Sequence, residues 1–135
     1  MIEILNKLAI FLIPFLIGGL VFFSSIVAPN TFMSLDEKNA RKFIRTLFPK
    51  IYTYAAILSL LIAILLLKFD IFYSFIFFVI SLGYLYSKYF LMKKINNASD
   101  SNDEKKFKVL HRFSVIIFIL QIFLMGFVYY LIINL

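Results

Sequence analysis

The chain has 135 residues, of which 63% are hydrophobic, and it carries a net charge of +7 with no cysteine. This length leaves room for a single domain, and the lack of cysteine excludes a disulfide framework, a thiolate nucleophile and a cysteine metal site. A positive charge can indicate a nucleic acid partner, but here the distribution of the charges along the chain favours a membrane, so we expect no nucleic acid partner.

Four uncharged apolar stretches dominate the sequence: Leu8–Leu35, Ile51–Leu67, Ile71–Ser87 and Phe113–Leu135. A helix rises about 1.5 Å per residue, so roughly 20 apolar residues cross the hydrocarbon core of a bilayer. The stretches lack the alternation of barrel strands. The sequence therefore predicts an all-α membrane protein, a single four-transmembrane-helix bundle over residues 1–135 that binds membrane lipids. The predicted spans are about 5–27, 51–67, 71–91 and 113–133.

The first span carries small and helix-breaking residues, Pro14, Gly18, Ser25 and Pro29, on one narrow stripe. The stripe is typical of a kinked helix that packs against another helix, and we assign Gly18 to this packing contact. The alternative is a flexible helix that lines a permeation path. We expect this span to be retained and not cleaved as a signal peptide, because Pro29 directly follows the small residue Ala28 at the candidate cleavage site.

A second helix is predicted between the first two spans. Ser34 precedes Glu37 by three residues, which is the pattern of a capping box. A basic amphipathic helix over about 35–48 would follow and lie in the cytoplasmic headgroups. Pro49 should end it, because the residue before a proline avoids the helical region.

In the second span, Ala55, Ser59 and Ala63 recur every four residues and predict a close contact with another helix. The short segment 68–70 then predicts an antiparallel hairpin with the third span. That span extends past Ser87 if the Lys88 side chain reaches the headgroups.

The last helix is predicted to follow a polar linker over residues 95–106. The sequence from Ser101 to Glu104 is again typical of a capping box and places the helix at about 102–134.

Basic residues collect in two of the connections. The segments between spans 1 and 2 and between spans 3 and 4 lie on the same side of the membrane and carry twelve lysines and arginines, against two on the other side. The positive-inside rule places this side in the cytoplasm, with both termini outside, in a bacterial inner or plasma membrane.

Few side chains could carry chemistry. His111, the only histidine, could anchor the last helix, titrate near neutral pH, or ligate haem or a metal with a methionine. No cysteine and no carboxylate within a span supplies further ligands, so we assign no metal site, no cofactor and no catalytic residue. Gln121 lies within the fourth span and predicts either an interhelical hydrogen bond or a pore-facing amide.

Three short motifs, in this order, resemble the transmembrane protein 205-like family, also called domain of unknown function 4149. They are Gly18-Gly19 to Phe32 in the first helix, Ala40 to Tyr52 around Leu47-Phe48-Pro49, and Phe107 to Ser114 around Leu110-His111. This resemblance implies a four-helix membrane protein without an assigned activity.

The predicted topology places six of these residues at the cytoplasmic ends of helices. Together with Phe48 and Pro49, we expect them to converge into a pocket between helices 1, 2 and 4, rimmed by Arg45, Lys50 and Arg112, for an anionic ligand or lipid headgroup. The six are Ser25, Pro29, Tyr52, His111, Arg112 and Ser114.

Our first functional interpretation is a non-enzymatic transport, permeation or accessory subunit, as a homo-oligomer or with other membrane subunits. The alternatives are a haem- or metal-binding membrane enzyme that uses His111, and a lipid-binding or structural module that uses the basic helix.

Overall fold

The computed structural model describes all 135 residues and contains four long helices: α1 (Ile2–Ser34), α2 (Glu37–Leu66), α3 (Ile71–Asp100) and α4 (Glu104–Ile133). Each contains an 18-residue window with a mean hydropathy of 1.5 or more. All four are therefore long and apolar enough to cross a bilayer, and the protein is an integral membrane protein. The prediction of an all-α fold with four spans is confirmed.

The helices form an up-down-up-down bundle in which each packs against its neighbours in sequence and α4 closes against α1. The two short connections that join α1 to α2 and α3 to α4 therefore lie at the same end. Twelve of the fourteen basic residues belong to the segments 38–50 and 88–112 around these connections. We call this the basic end of the bundle.

Helices α2 and α3 make the most extensive contact, as a hairpin closed by a tight turn. Ala55, Ser59 and Ala63 are buried, and such small residues let two backbones approach closely. At this short distance serines of α3 reach the backbone of α2: Ser81 Oγ donates to the carbonyl of Ala56 at 2.7 Å, and Ser74 Oγ donates to that of Ala63 at 2.7 Å.

The interior of the bundle is filled along its length by apolar side chains. Fully buried residues come from all four helices and form one continuous core. Representative members are Ile13, Leu20, Ile62, Leu66, Phe77, Met125 and Val128.

The predicted separate amphipathic helix is wrong in one respect. Its residues form the first half of α2, which continues through Pro49 without a break. The ring of Phe48 contacts Phe23 of α1 at 5.2 Å between centroids and Tyr52 at 5.8 Å. These contacts hold the backbone on both sides of the proline, and tertiary packing overrides the local preference.

This continuity also changes the predicted orientation of the basic segment. The helix α2 runs unbroken from Glu37 to Leu66. At its ordinary rise such a helix is about 45 Å long, which exceeds the thickness of the hydrocarbon core. The segment 37–48 therefore projects from the membrane along the axis of α2 and does not lie in the plane of the headgroups.

Both predicted caps are shifted by two residues. Asp36, and not Ser34, caps α2 by accepting from the backbone N–H of Asn39 at 3.2 Å, while Leu35 is extended. Asp103, and not Ser101, caps α4 by accepting from the N–H of Lys106. The predicted linker is also shorter than expected, because α3 remains helical to Asp100.

Two π-helical turns interrupt the regular helices near the basic end, at Phe23–Val27 in α1 and Ser87–Leu91 in α3. The turn in α1 has a local cause, since Pro29 has no N–H to donate to the carbonyl four residues earlier. The turn in α3 contains no proline. A π turn inserts an extra residue and so changes the face on which the following side chains lie.

Candidate functional site at the basic end

A chain of aromatic rings joins three helices near the basic end. Phe23 of α1 contacts Phe48 of α2, which contacts Tyr52, and Tyr52 contacts Tyr84 of α3 at 6.4 Å between centroids. Phe23, Tyr52 and Tyr84 are buried. The rings close the interior of the bundle at this level.

Lys88 lies directly outside this aromatic cluster, in the π turn of α3. Its amine donates to Thr53 Oγ1 at 2.7 Å, and Thr53 Oγ1 in turn donates to the carbonyl of Pro49 at 2.8 Å. The amine also lies 4.8 Å from the centre of the Tyr89 ring, a cation–π distance. The π turn thus brings a lysine at the end of an apolar span against α2.

A groove of about 400 Å³ runs between α2 and α3 at this point. No acidic residue lines this groove. The lining consists of two lysines, a threonine, a proline, a tyrosine and an isoleucine: Pro49, Lys50, Thr53, Tyr54, Ile57 and Lys88. Lys50 and Ile57 are exposed, and the other four are partly buried.

A second groove, further from the membrane, has a different character. It measures about 740 Å³ and is lined by four basic residues, three acidic residues and a threonine. Arg45 pairs with Asp100 at 2.6 Å and so links α2 to the end of α3, while Arg41 pairs with Glu37 at 2.8 Å. The charges of this second groove are largely compensated within the chain.

Outside the membrane-spanning segments, the carboxyl group of Asp36 at this end has a shifted pKa. The side-chain amide of Asn39 donates to the carboxylate of Asp36 at 2.6 Å, and its backbone N–H donates as well. Both hydrogen bonds favour the ionised carboxylate and lower the pKa of Asp36 below its usual value.

A family model for a domain of unknown function, DUF4149, matches residues 11–133, which is nearly the whole chain. The chain belongs to the DUF4149 family. No curated protein and no solved structure matches it significantly. The family description assigns no activity, so any function of this DUF4149 chain has to be inferred from its own residues.

The six residues expected to form a pocket lie at the basic end but differ in their surroundings. Ser25 and Pro29 are exposed on α1, and His111 and Arg112 are exposed on α4. The ring of His111 stacks on Phe107 at 5.7 Å, and Ser114 Oγ donates to the carbonyl of His111. Tyr52 is buried in the aromatic cluster.

Neither groove described above is lined by any of these six residues, although Pro49 and Lys50 line the first groove and Arg45 lines the second. Their convergence stays a prediction. For the haem or metal interpretation, the structure of this DUF4149 chain holds no group of three His, Asp or Glu side chains that could ligate a metal ion.

Gln121 faces the interior of the bundle. Its amide Nε2 donates to the carbonyl of Ile80 in α3 at 3.1 Å, and its Oε1 is buried without a partner. The Gln121 side chain can approach α3 this closely because residue 83 is a glycine, since a Cβ at Gly83 would lie 2.5 Å from Nε2. The amide thus makes an interhelical contact.

Gly18 lies on the outer face of α1, where a Cβ would meet nothing within 4 Å. Pro14, Ser25 and Pro29 are exposed as well. The stripe of α1 is therefore turned away from the rest of this chain, whereas the stripe of α2 is buried within it.

In the pocket predicted from the sequence, Lys50 stood only at the rim, and Lys88 was not part of it. One signal was available, since Lys88 is the only charge within the otherwise apolar run from Ile71 to Met92. Its approach to Thr53 depends on the π turn, and no local sequence pattern indicates that turn.

Proposed function

We propose that this DUF4149 protein is a non-enzymatic membrane subunit that works in an assembly with further chains and does not pass solutes through its own bundle. The supporting observation is the continuous core of mainly apolar side chains, in which Ser59 and Gln121 are among the few buried polar ones. Ions and polar solutes need a hydrated or polar path through the hydrocarbon region. Any permeation path would then lie between chains.

The outer face of α1 supports association. Only 22% of the apolar window of α1 is buried within the chain, as in α4, against 44% for α2. The exposed Gly18 lets another helix approach the backbone closely. We propose that a second copy of the chain packs against this face, as a homo-oligomer or the core of a larger assembly.

Orientation is part of the same proposal. The basic end collects twelve of the fourteen lysines and arginines, which favours the cytoplasmic side of a bacterial inner or plasma membrane, with both termini outside.

Subunit counting by single-molecule photobleaching in dilute vesicles tests the assembly. We expect two or more copies for the wild type and a shift to single copies for Gly18→Leu. Gly126→Leu is the matched control, because Gly126 also has open space at its Cβ but lies on α4. Single copies for all three proteins would refute the proposal.

A flux measurement tests the closed bundle. Vesicles that contain the wild-type protein at one copy each should leak protons and potassium no faster than empty vesicles. Flux that is lost in Gln121→Leu would place a path along α4 and contradict the proposal.

A further inference from the structure

We propose that the groove between α2 and α3 at Lys50 and Lys88 binds the headgroup of one anionic phospholipid, with an acyl chain along Ile57. This inference does not depend on the assembly proposed above. It rests on the position of the groove, on its uncompensated charge and on its apolar wall.

The position follows from the ends of two spans. Lys50 immediately precedes the apolar stretch of α2, and Lys88 immediately follows that of α3. The two helices are antiparallel neighbours, so both amines lie at the same level, where the hydrocarbon region meets the headgroups. Basic pockets between transmembrane helices at this level suit anionic headgroups.

The charge of the groove is uncompensated. Neither Lys50 nor Lys88 takes part in a salt bridge, and no acidic residue lines the groove. The amine of Lys88 is held by the neutral Thr53 hydroxyl, which leaves two of its three donors for a ligand. Arg41 and Arg45, by contrast, are already paired with carboxylates.

The wall of the groove explains why the occupant is a lipid and not a free phosphate. The side chain of Ile57 is 62% exposed. It lies two helical turns beyond Lys50, which is about 10 Å deeper along α2. A phosphate at the two amines would therefore continue into an apolar strip that faces the bilayer. Thr53 donates its proton to Pro49, so the two lysine amines are the only charged donors that the groove offers a small phosphate.

Native mass spectrometry of the full chain in detergent, titrated with phosphatidylglycerol or phosphatidylcholine, tests the proposal. We expect one phosphatidylglycerol to bind at least tenfold more tightly than phosphatidylcholine. Each lysine is expected to contribute about fivefold, so Lys50→Gln/Lys88→Gln should weaken phosphatidylglycerol binding roughly 25-fold, to the level of phosphatidylcholine. Equal affinity of the wild type for the two lipids would overturn the proposal.

Matched controls separate the site from general charge. Lys93→Gln/Lys94→Gln removes two exposed lysines from the same end of α3 and should leave the preference unchanged; an equal loss there would overturn the proposal. Lys88→Arg keeps the charge and should retain most of the binding. It serves as the second variant if Lys88→Gln does not fold. Glycerol 3-phosphate should not compete at concentrations a hundredfold above the lipid, and full displacement by it would contradict a lipid occupant.

Discussion

Replacing Gln121 by leucine should stabilise the bundle, although it removes an interhelical hydrogen bond. The bond from Nε2 to the carbonyl of Ile80 is 3.1 Å long. Such bonds within membrane proteins contribute about 0.6 kcal/mol on average. Ile80 lies inside α3, so its carbonyl keeps its helical hydrogen bond after the substitution.

The opposing contribution is larger. Oε1 of Gln121 is buried without a partner, and a buried unsatisfied acceptor costs about 1–3 kcal/mol. Leucine removes both atoms and fills a similar space. The net expectation is a gain of about 1 kcal/mol in the free energy of unfolding, which equilibrium unfolding in mixed micelles can measure by circular dichroism.

The neighbouring glycine supplies an internal control. Gly83→Ala places a Cβ 2.5 Å from Nε2. This should force the amide away from Ile80, with a cost of about 1 kcal/mol. The same change in a Gln121→Ser background should cost less, because the short side chain leaves room. If Gln121→Leu lowers stability by about 1 kcal/mol or more, Oε1 has a partner in the membrane and the closed interior is wrong at this point.

Three further substitutions test the packing and the helix ends. Ala63 is buried, so Ala63→Leu should lower the free energy of unfolding by about 1–3 kcal/mol, because the larger side chain overpacks the α2–α3 interface. Ile57 is exposed on the lipid face, so the control Ile57→Leu should leave the free energy of unfolding unchanged. Asp36 has a lowered pKa in the folded protein, so its contribution to folding stability is present above the unfolded pKa and is lost as the pH falls through the folded pKa. In thermal melts recorded at a series of pH values, Asn39→Ala should therefore reduce the loss of stability at acid pH. Pro49 lies inside α2, so Pro49→Ala should raise the free energy of unfolding by up to about 3 kcal/mol, because it restores a backbone N–H donor to the helix. A lower melting temperature would show instead that the proline is required for the fold.

Hydropathy predicted the four spans because a helix of fixed rise must match a bilayer of nearly fixed thickness. The segment 68–70 predicted the α2–α3 hairpin because so short a connection can join only the adjacent ends of two antiparallel helices. The family motifs also predicted the DUF4149 membership.

The details at the basic end could not be predicted, because they depend on contacts between helices. The continuity of α2 through Pro49 is held by the contact of Phe48 with Phe23, which belongs to a different helix. The position of Lys88 follows from a π turn in α3 that has no proline signal. The capping-box pattern predicted caps at Ser34 and Ser101, but Asp36 and Asp103 accept the backbone hydrogen bonds instead.

We propose that the four helices span the membrane with the basic end inside the cell, and cysteine labelling tests this orientation directly. Because the chain has no cysteine, a single Ser101→Cys or Asn134→Cys variant carries a unique label site at either end of the bundle. A membrane-impermeant maleimide should label Asn134→Cys in intact cells and Ser101→Cys only after lysis. Labelling of Ser101→Cys in intact cells, with Asn134→Cys protected, would contradict the account.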